Sequence, residues 1–159
     1  MKRMAAAVRG PEPTSDDERL ADEVRERLEG YEPLRASGAR ITVSVERGVV
    51  YLRGLVRSAT QPAEAARVAR QVRGVRTVHV DGLRTDEQIA VDVAAALARD
   101  PELARVVLRV QVALGLVVLR GAVDDAHLVD RAIAVCRAVP GVERVRSEIV
   151  VRTAPRRAP

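Results

Sequence analysis

The sequence predicts an α/β fold of the α+β kind: two tandem α-β-β-α-β repeats, each a three-stranded mixed sheet packed on two helices. Three observations carry this expectation. The nine residues Gly48 to Val56 (GVVYLRGLV) return as Gly115 to Val123 (GLVVLRGAV), 67 positions later. Gly74-Val75 returns as Gly141-Val142 at the same offset. The apolar stripe Leu20, Val24 and Leu28, spaced as on one face of a helix, returns as Ile89, Val93 and Leu97. A duplicated segment of this size is one supersecondary unit. Units of under about 70 residues bury only marginal cores, so the two are expected to pack on each other or on a partner.

Residues 1–14, with Gly10, Pro11 and Pro13, read as a disordered lead-in. Repeat one is expected over 15–84. Ser15-Asp-Asp-Glu18 has the form of a capping box opening the first helix, which ends near Gly30. Tyr31 to Arg40 reads as a connection. Ile41, Val43 and Val45 alternate with Thr42, Ser44 and Glu46, the pattern of a strand with one buried face. Arg47-Gly48 predicts a tight hairpin turn into strand two, whose buried face holds Val50, Leu52 and Val56. Gly54 and Gly121 fall on the buried face, which predicts a bulge or a close backbone approach by a packed helix.

Ser58 to Arg73 reads as the second helix, with Ala65, Val68, Ala69 and Val72 inward and Pro62 tolerated in its first turn. Val75, Val78 and Val80 predict a short third strand ending at Asp81-Gly82. Repeat two, over 85–152, opens without a linker at the capping box Thr85-Asp-Glu-Gln88, and Asp100-Pro101 ends its first helix. Leu108, Val110, Val112 and Leu114 give its first strand. Asp124 or Asp125 caps its second helix, with Ala132, Ile133, Cys136 and Val139 inward, and Val142, Val145, Ile149 and Val151 form the last strand. Residues 153–159 read as a disordered basic tail.

Trp and Phe are absent and Tyr31 and Tyr51 are the sole aromatics, so the core must be built from Val, Leu, Ile and Ala. The net charge of +5 sits in the ends, because 15–84 carries 13 basic and 11 acidic side chains while 85–151 carries 8 and 10. The basic pI therefore says little about the folded surface. One cysteine excludes an internal disulfide. No stretch approaches the roughly 18 apolar residues of a transmembrane span, and Met4 to Val8 is too short for a secretory signal. As written, the chain reads as cytoplasmic; a mis-called or trimmed start would make it periplasmic or envelope-associated.

Cys136 and His127 lie nine positions apart on one predicted helix, on opposite faces, which excludes a nucleophile–base dyad. No metal, cofactor or catalytic site is expected. Nucleic acid is disfavoured, because the sheet lacks stacking aromatics beyond Tyr51 and Gly74 to Thr77 lacks the second glycine of a backbone clamp. Arg67, Arg70, Arg73 and Arg76 recur every three residues. They read either as a solvated helix face or, with Lys2, Arg3, Arg156 and Arg157, as a contact for an anionic surface. Val49, Tyr51 and Leu55, with Val107, Leu116 and Val118, are expected on the sheet faces away from the helices. Tyr51, Leu116 and Val118 are the candidate apolar interface, covered by the other sheet or by a partner chain.

The capped helix with Leu20, Val24 and Leu28, the strand Ile41 to Val45, the pattern G-x-V-x-L-x-G-x-V at Gly48 to Val56 and the Gly74-Val75-x-x-Val78 element resemble the BON domain, named for bacterial osmotically induced and nodulation proteins. Each element recurs in the second copy, so the resemblance covers about residues 15 to 151. It implies an α-β-β-α-β fold, tandem occurrence in bacterial envelope or stress-related proteins and association with phospholipid surfaces. The resulting expectation is a non-enzymatic module that binds an anionic phospholipid surface or envelope and stress-related partners. The alternative is a cytoplasmic protein-interaction or homo-oligomerisation module without a lipid role.

Overall fold

A computed structural model describes residues 14–152. The elements are α1 (Ser15–Gly30), α2 (Glu32–Ser37), β1 (Arg40–Glu46), β2 (Val49–Val56), α3 (Gln61–Arg70), β3 (Thr77–Thr85), α4 (Asp86–Arg99), β4 (Leu108–Ala113), β5 (Leu116–Val123), α5 (Ala126–Arg137) and β6 (Arg144–Val151). They form two sheets, ordered β1-β2-β3 and β4-β5-β6. In each the first pair is antiparallel and the second parallel. The hairpin and the helical crossover that the repeated sequence implies are both present, so the fold is the expected α+β duplication.

Both hairpins turn on two residues with positive φ, Arg47 (51°) with Gly48 (78°) and Leu114 (45°) with Gly115 (81°). This is the turn whose twist matches that of the flanking strands. Leu52 and Leu119 sit at the centre of the two cores, with 1% and 0% exposure. The first core joins them to Leu20, Val24, Leu28, Val50, Val56, Ala65 and Ala69; the second to Ile89, Val93, Leu97, Val117, Ala132 and Cys136.

Several local expectations are corrected. The cap of α1 is Thr14, whose hydroxyl accepts from the backbone N–H of Asp17 at 3.2 Å, while Ser15 is the first helical residue. Within the expected connection, Glu32–Ser37 forms a short helix that buries Leu34, with Pro33 near its start and Gly38 closing it in the left-handed conformation. Helix α3 is shorter than expected: the Gln61 side chain accepts from the N–H groups of Arg57 (2.7 Å) and Ser58 (3.2 Å) and fixes its start, and it ends at Arg70. Asp81-Gly82 does not end β3: Val80 and Asp81 form a bulge opposite Leu52, Gly82 pairs with Arg53, and the strand runs on to Thr85. A side chain at Gly82 would meet Arg53 Cγ at 2.5 Å. The close approach at Gly54 and Gly121 comes from the neighbouring strand rather than a helix, since a Cβ there would collide with the carbonyl of Arg40 or, at 2.8 Å, of Val107.

The expected 1–14 lead-in and 153–159 tail, with Lys2, Arg3, Arg156 and Arg157, lie outside the described residues, except for Thr14.

Candidate functional site

Thr85 is both the last residue of β3 and the N-cap of α4, its hydroxyl accepting from Gln88 N–H at 3.1 Å. The repeats therefore meet without a linker, and one end of repeat two rests on the outer face of the first sheet. Leu55, on β2 of repeat one, is buried in the core cluster of repeat two beside Ile89. Leu55 Cδ1 lies at the turn glycine Gly115. Around it, Arg40 Nη2 donates to the Leu114 carbonyl (3.0 Å) and to the Glu143 carboxylate (2.6 Å), and Arg57 faces Asp86 at 3.6 Å. The docked end of repeat two thus consists of the hairpin turn, the loop before β6 and the start of α4.

The same end of repeat one has no repeat packed on it within the chain. There the groove of about 450 Å³ between the start of α1, the β1–β2 turn and the loop before β3 is lined by Arg19, Arg47, Arg73 and Arg76, with Asp16, Asp17, Leu20 and Gly48. All four arginines are exposed. The counterparts in repeat two are Gln88, Leu114, Pro140 and Glu143, which carry no positive charge. The fold therefore does not need arginine at these places. Asp17 is committed to the turn: its carboxylate accepts from Arg47 N–H (3.0 Å) and Gly48 N–H (3.2 Å), and those bonds hold its carboxyl below the usual aspartate range.

Of the residues expected to meet an anionic surface, Arg73 lines this groove, because α3 stops at Arg70 and the chain turns. Arg67 is elsewhere, its guanidinium donating to the Tyr31 hydroxyl at 3.0 Å and lying 5.5 Å from that ring's centre. Arg70 is exposed on α3. The stripe is thus split. Arg19 and Arg47 were missed by sequence reasoning, since their meeting with Arg73 and Arg76 depends on how α1 seats against the β1–β2 turn.

The apolar interface candidates are divided between two faces. Tyr51 is half-buried and stacks on His79, ring centres 5.1 Å apart, beside Arg53 and Asp81. Leu116 and Val118 are half-buried on the outer face of the second sheet. Arg120, on the same face, bonds Glu148 at 2.5 Å and Gln111 at 3.1 Å. The two sheets share no strand pairing. Leu55 is covered by the hairpin-turn end of repeat two and not by the face of its sheet.

The groups that could perform chemistry are separated. Cys136 is fully buried, and desolvation pushes its thiol up to about 11. His127 is exposed and bound to Asp125 (2.9 Å) and Glu102 (3.1 Å), and its hydrogen bonds to those two carboxylates raise its pKa. Among the described residues no cluster of His, Cys, Asp and Glu is gathered for a metal, and no helix is long and apolar enough to cross a membrane.

The BON domain family model matches the chain twice, over residues 16–84 and 85–153. The chain is 29% identical over 146 residues to osmotically-inducible protein Y of Escherichia coli K12, covering 84% of this chain and 72% of that protein. Two structures of CdsD, a structural protein of the type III secretion system of Chlamydia trachomatis, share the fold. One, its C-terminal domain, superposes with a TM-score of 0.62 at 17% identity over 86% of this chain and 67% of that one. The other gives 0.66 at 18% identity over 87% and 65%.

Proposed function

The chain belongs to the BON domain family, with two copies of the domain in tandem, and from that premise we propose that it is a non-enzymatic module whose basic end on repeat one rests on an anionic phospholipid surface. The observation that carries this reading is the asymmetry between equivalent ends. Where repeat two has Gln88, Leu114, Pro140 and Glu143, with Leu114 and Glu143 held by Arg40 of its neighbour, repeat one has Arg19, Arg47, Arg73 and Arg76 exposed. Each arginine near an anionic bilayer contributes on the order of 1 kcal/mol, so four give weak, reversible, peripheral binding. Without Trp or Phe to insert, the contact is electrostatic. Arg156 and Arg157 would add to it. The relative named for osmotic induction fits a role at a stressed envelope.

A protein partner is the second reading, favoured by half-buried Tyr51 stacked on exposed His79 and by Leu116 and Val118 on faces left partly open. Co-sedimentation with vesicles separates the two. Binding to phosphatidylglycerol-containing vesicles, absent from phosphatidylcholine vesicles and fading with salt, supports the lipid reading. No binding to either at low salt removes it and leaves the protein partner.

A further inference from the structure

The surface on which repeat one receives repeat two has a counterpart on repeat two, and among the described residues that counterpart is apolar and uncovered. On repeat one the receiving positions are Arg40, Leu55 and Arg84, where Leu55 is paired across the sheet with both arginines. On repeat two the offset of 67 gives Val107 and Ala122, and Val150 pairs with Ala122 as Arg84 does with Leu55, one residue short of the offset because β3 carries a bulge. The equivalence of Val107 with Arg40 is geometric, since their carbonyls make the close approach at Gly121 and Gly54. Val107 is 88% and Val150 63% exposed, with Val151 beside them at 37%. The end of a repeat array that faces only water carries polar residues. Here the change runs the other way, two arginines giving way to two valines at the outward end.

We propose that this end receives the repeat-one end of a second copy of the chain, so that the relation between the two repeats continues from one molecule to the next. The incoming end has the required shape, because the turns at Arg47-Gly48 and Leu114-Gly115 share one backbone conformation and Gly74 repeats Gly141. Arg76 arrives where Glu143 sits in the internal junction, and its aliphatic stem covers Val107 in place of the ion pair with Arg40. Asp124 stands in the place of Arg57, opposite an end that carries Arg47 and Arg76. Asp17, the counterpart of Asp86, keeps both oxygens on its own turn. The interface is heterologous, joining two different surfaces, so it builds open chains of molecules rather than a closed pair. It is independent of the lipid reading, although a basic end held on a bilayer is not free to enter a second molecule.

Sedimentation velocity of the full chain in vesicle-free buffer, over a concentration series into the millimolar range, tests this. The mass is expected to rise beyond that of a dimer, and Val107→Glu with Val150→Glu is expected to weaken association at least tenfold. Both side chains are exposed, so the variant keeps the fold, which circular dichroism checks. A short bismaleimide linker supplies the orientation: Val107→Cys protein mixed with Arg76→Cys protein is expected to cross-link far more than either alone, the buried Cys136 remaining unreactive. A wild-type chain that stays monomeric throughout, a Glu variant that associates as wild type does, or preferential Val107→Cys self-linkage would overturn the proposal.

Discussion

The carboxylate of Asp17, in the first turn of α1, holds the backbone N–H of Arg47 at 3.0 Å at the tip of the first hairpin. Asp86 repeats the relation in the second copy, accepting from Leu114 N–H at 2.8 Å. Each hairpin turn is thus pinned to the helix that precedes it, and in repeat one this pin sets the place of Arg47 beside Arg19 and Arg76.

Asp17→Asn is therefore expected to lower stability at neutral pH. Hydrogen bonds to the ionised form depress the folded pKa below its ordinary 3.8. The stabilisation is complete above that ordinary value and is lost as pH falls through the lower folded one. Wild type and variant should converge in acid, as read by urea midpoints from pH 7 to pH 2. A gap of constant size across that range would mean that the carboxylate's charge contributes nothing.

At the junction between repeats, the buried leucine should outweigh the surface ion pair. Leu55→Ala is expected to cost about 2–4 kcal/mol, the usual cost of truncating a buried leucine. Arg40→Ala should cost about 1 kcal/mol or less, because Arg40 and Glu143 are each about half exposed. Equal effects in denaturant titrations would reject this ranking.

The sequence showed the duplicated architecture because glycines and apolar stripes recur at nearly constant offset, and these report backbone demands and burial directly. Leu20, Val24, Leu28, Leu52 and Leu119 are all core residues as expected. Helix α2 was hidden, since Pro33 and Gly38 read as loop residues although they start and close a single short helix. The basic site was legible only at Arg73 and Arg76. A three-residue spacing implied one helical stripe, yet α3 ends at Arg70, and the arginines that join Arg73 come from α1 and the hairpin turn, a meeting that no local pattern encodes.

Leu52→Ala and Leu119→Ala are each expected to destabilise by about 2–5 kcal/mol, since both side chains are enclosed in tight cores where collapse around the cavity is incomplete. Midpoints near wild type for both would contradict the burial of the two strand centres.

Cys136 offers a probe of unfolding. Burial removes it from reagent and disfavours its thiolate, with a pKa of about 11. Thiol labelling of native protein at neutral pH should therefore proceed only through opening of the second core, accelerating steeply with urea. Labelling at the rate of a free thiol in native buffer would show that the α5 packing is wrong.

On the proposed function, the basic end of repeat one is the contact for anionic membranes. Binding to phosphatidylglycerol vesicles, measured for Arg19→Ala/Arg73→Ala/Arg76→Ala and for Arg67→Ala/Arg70→Ala across a salt series, tests it most directly. Loss of three charges worth on the order of 1 kcal/mol each should reduce the partition coefficient about a hundredfold at low salt, while the Arg67/Arg70 variant changes it far less. Equal loss in the two variants, or undiminished binding by the first, would contradict the claim.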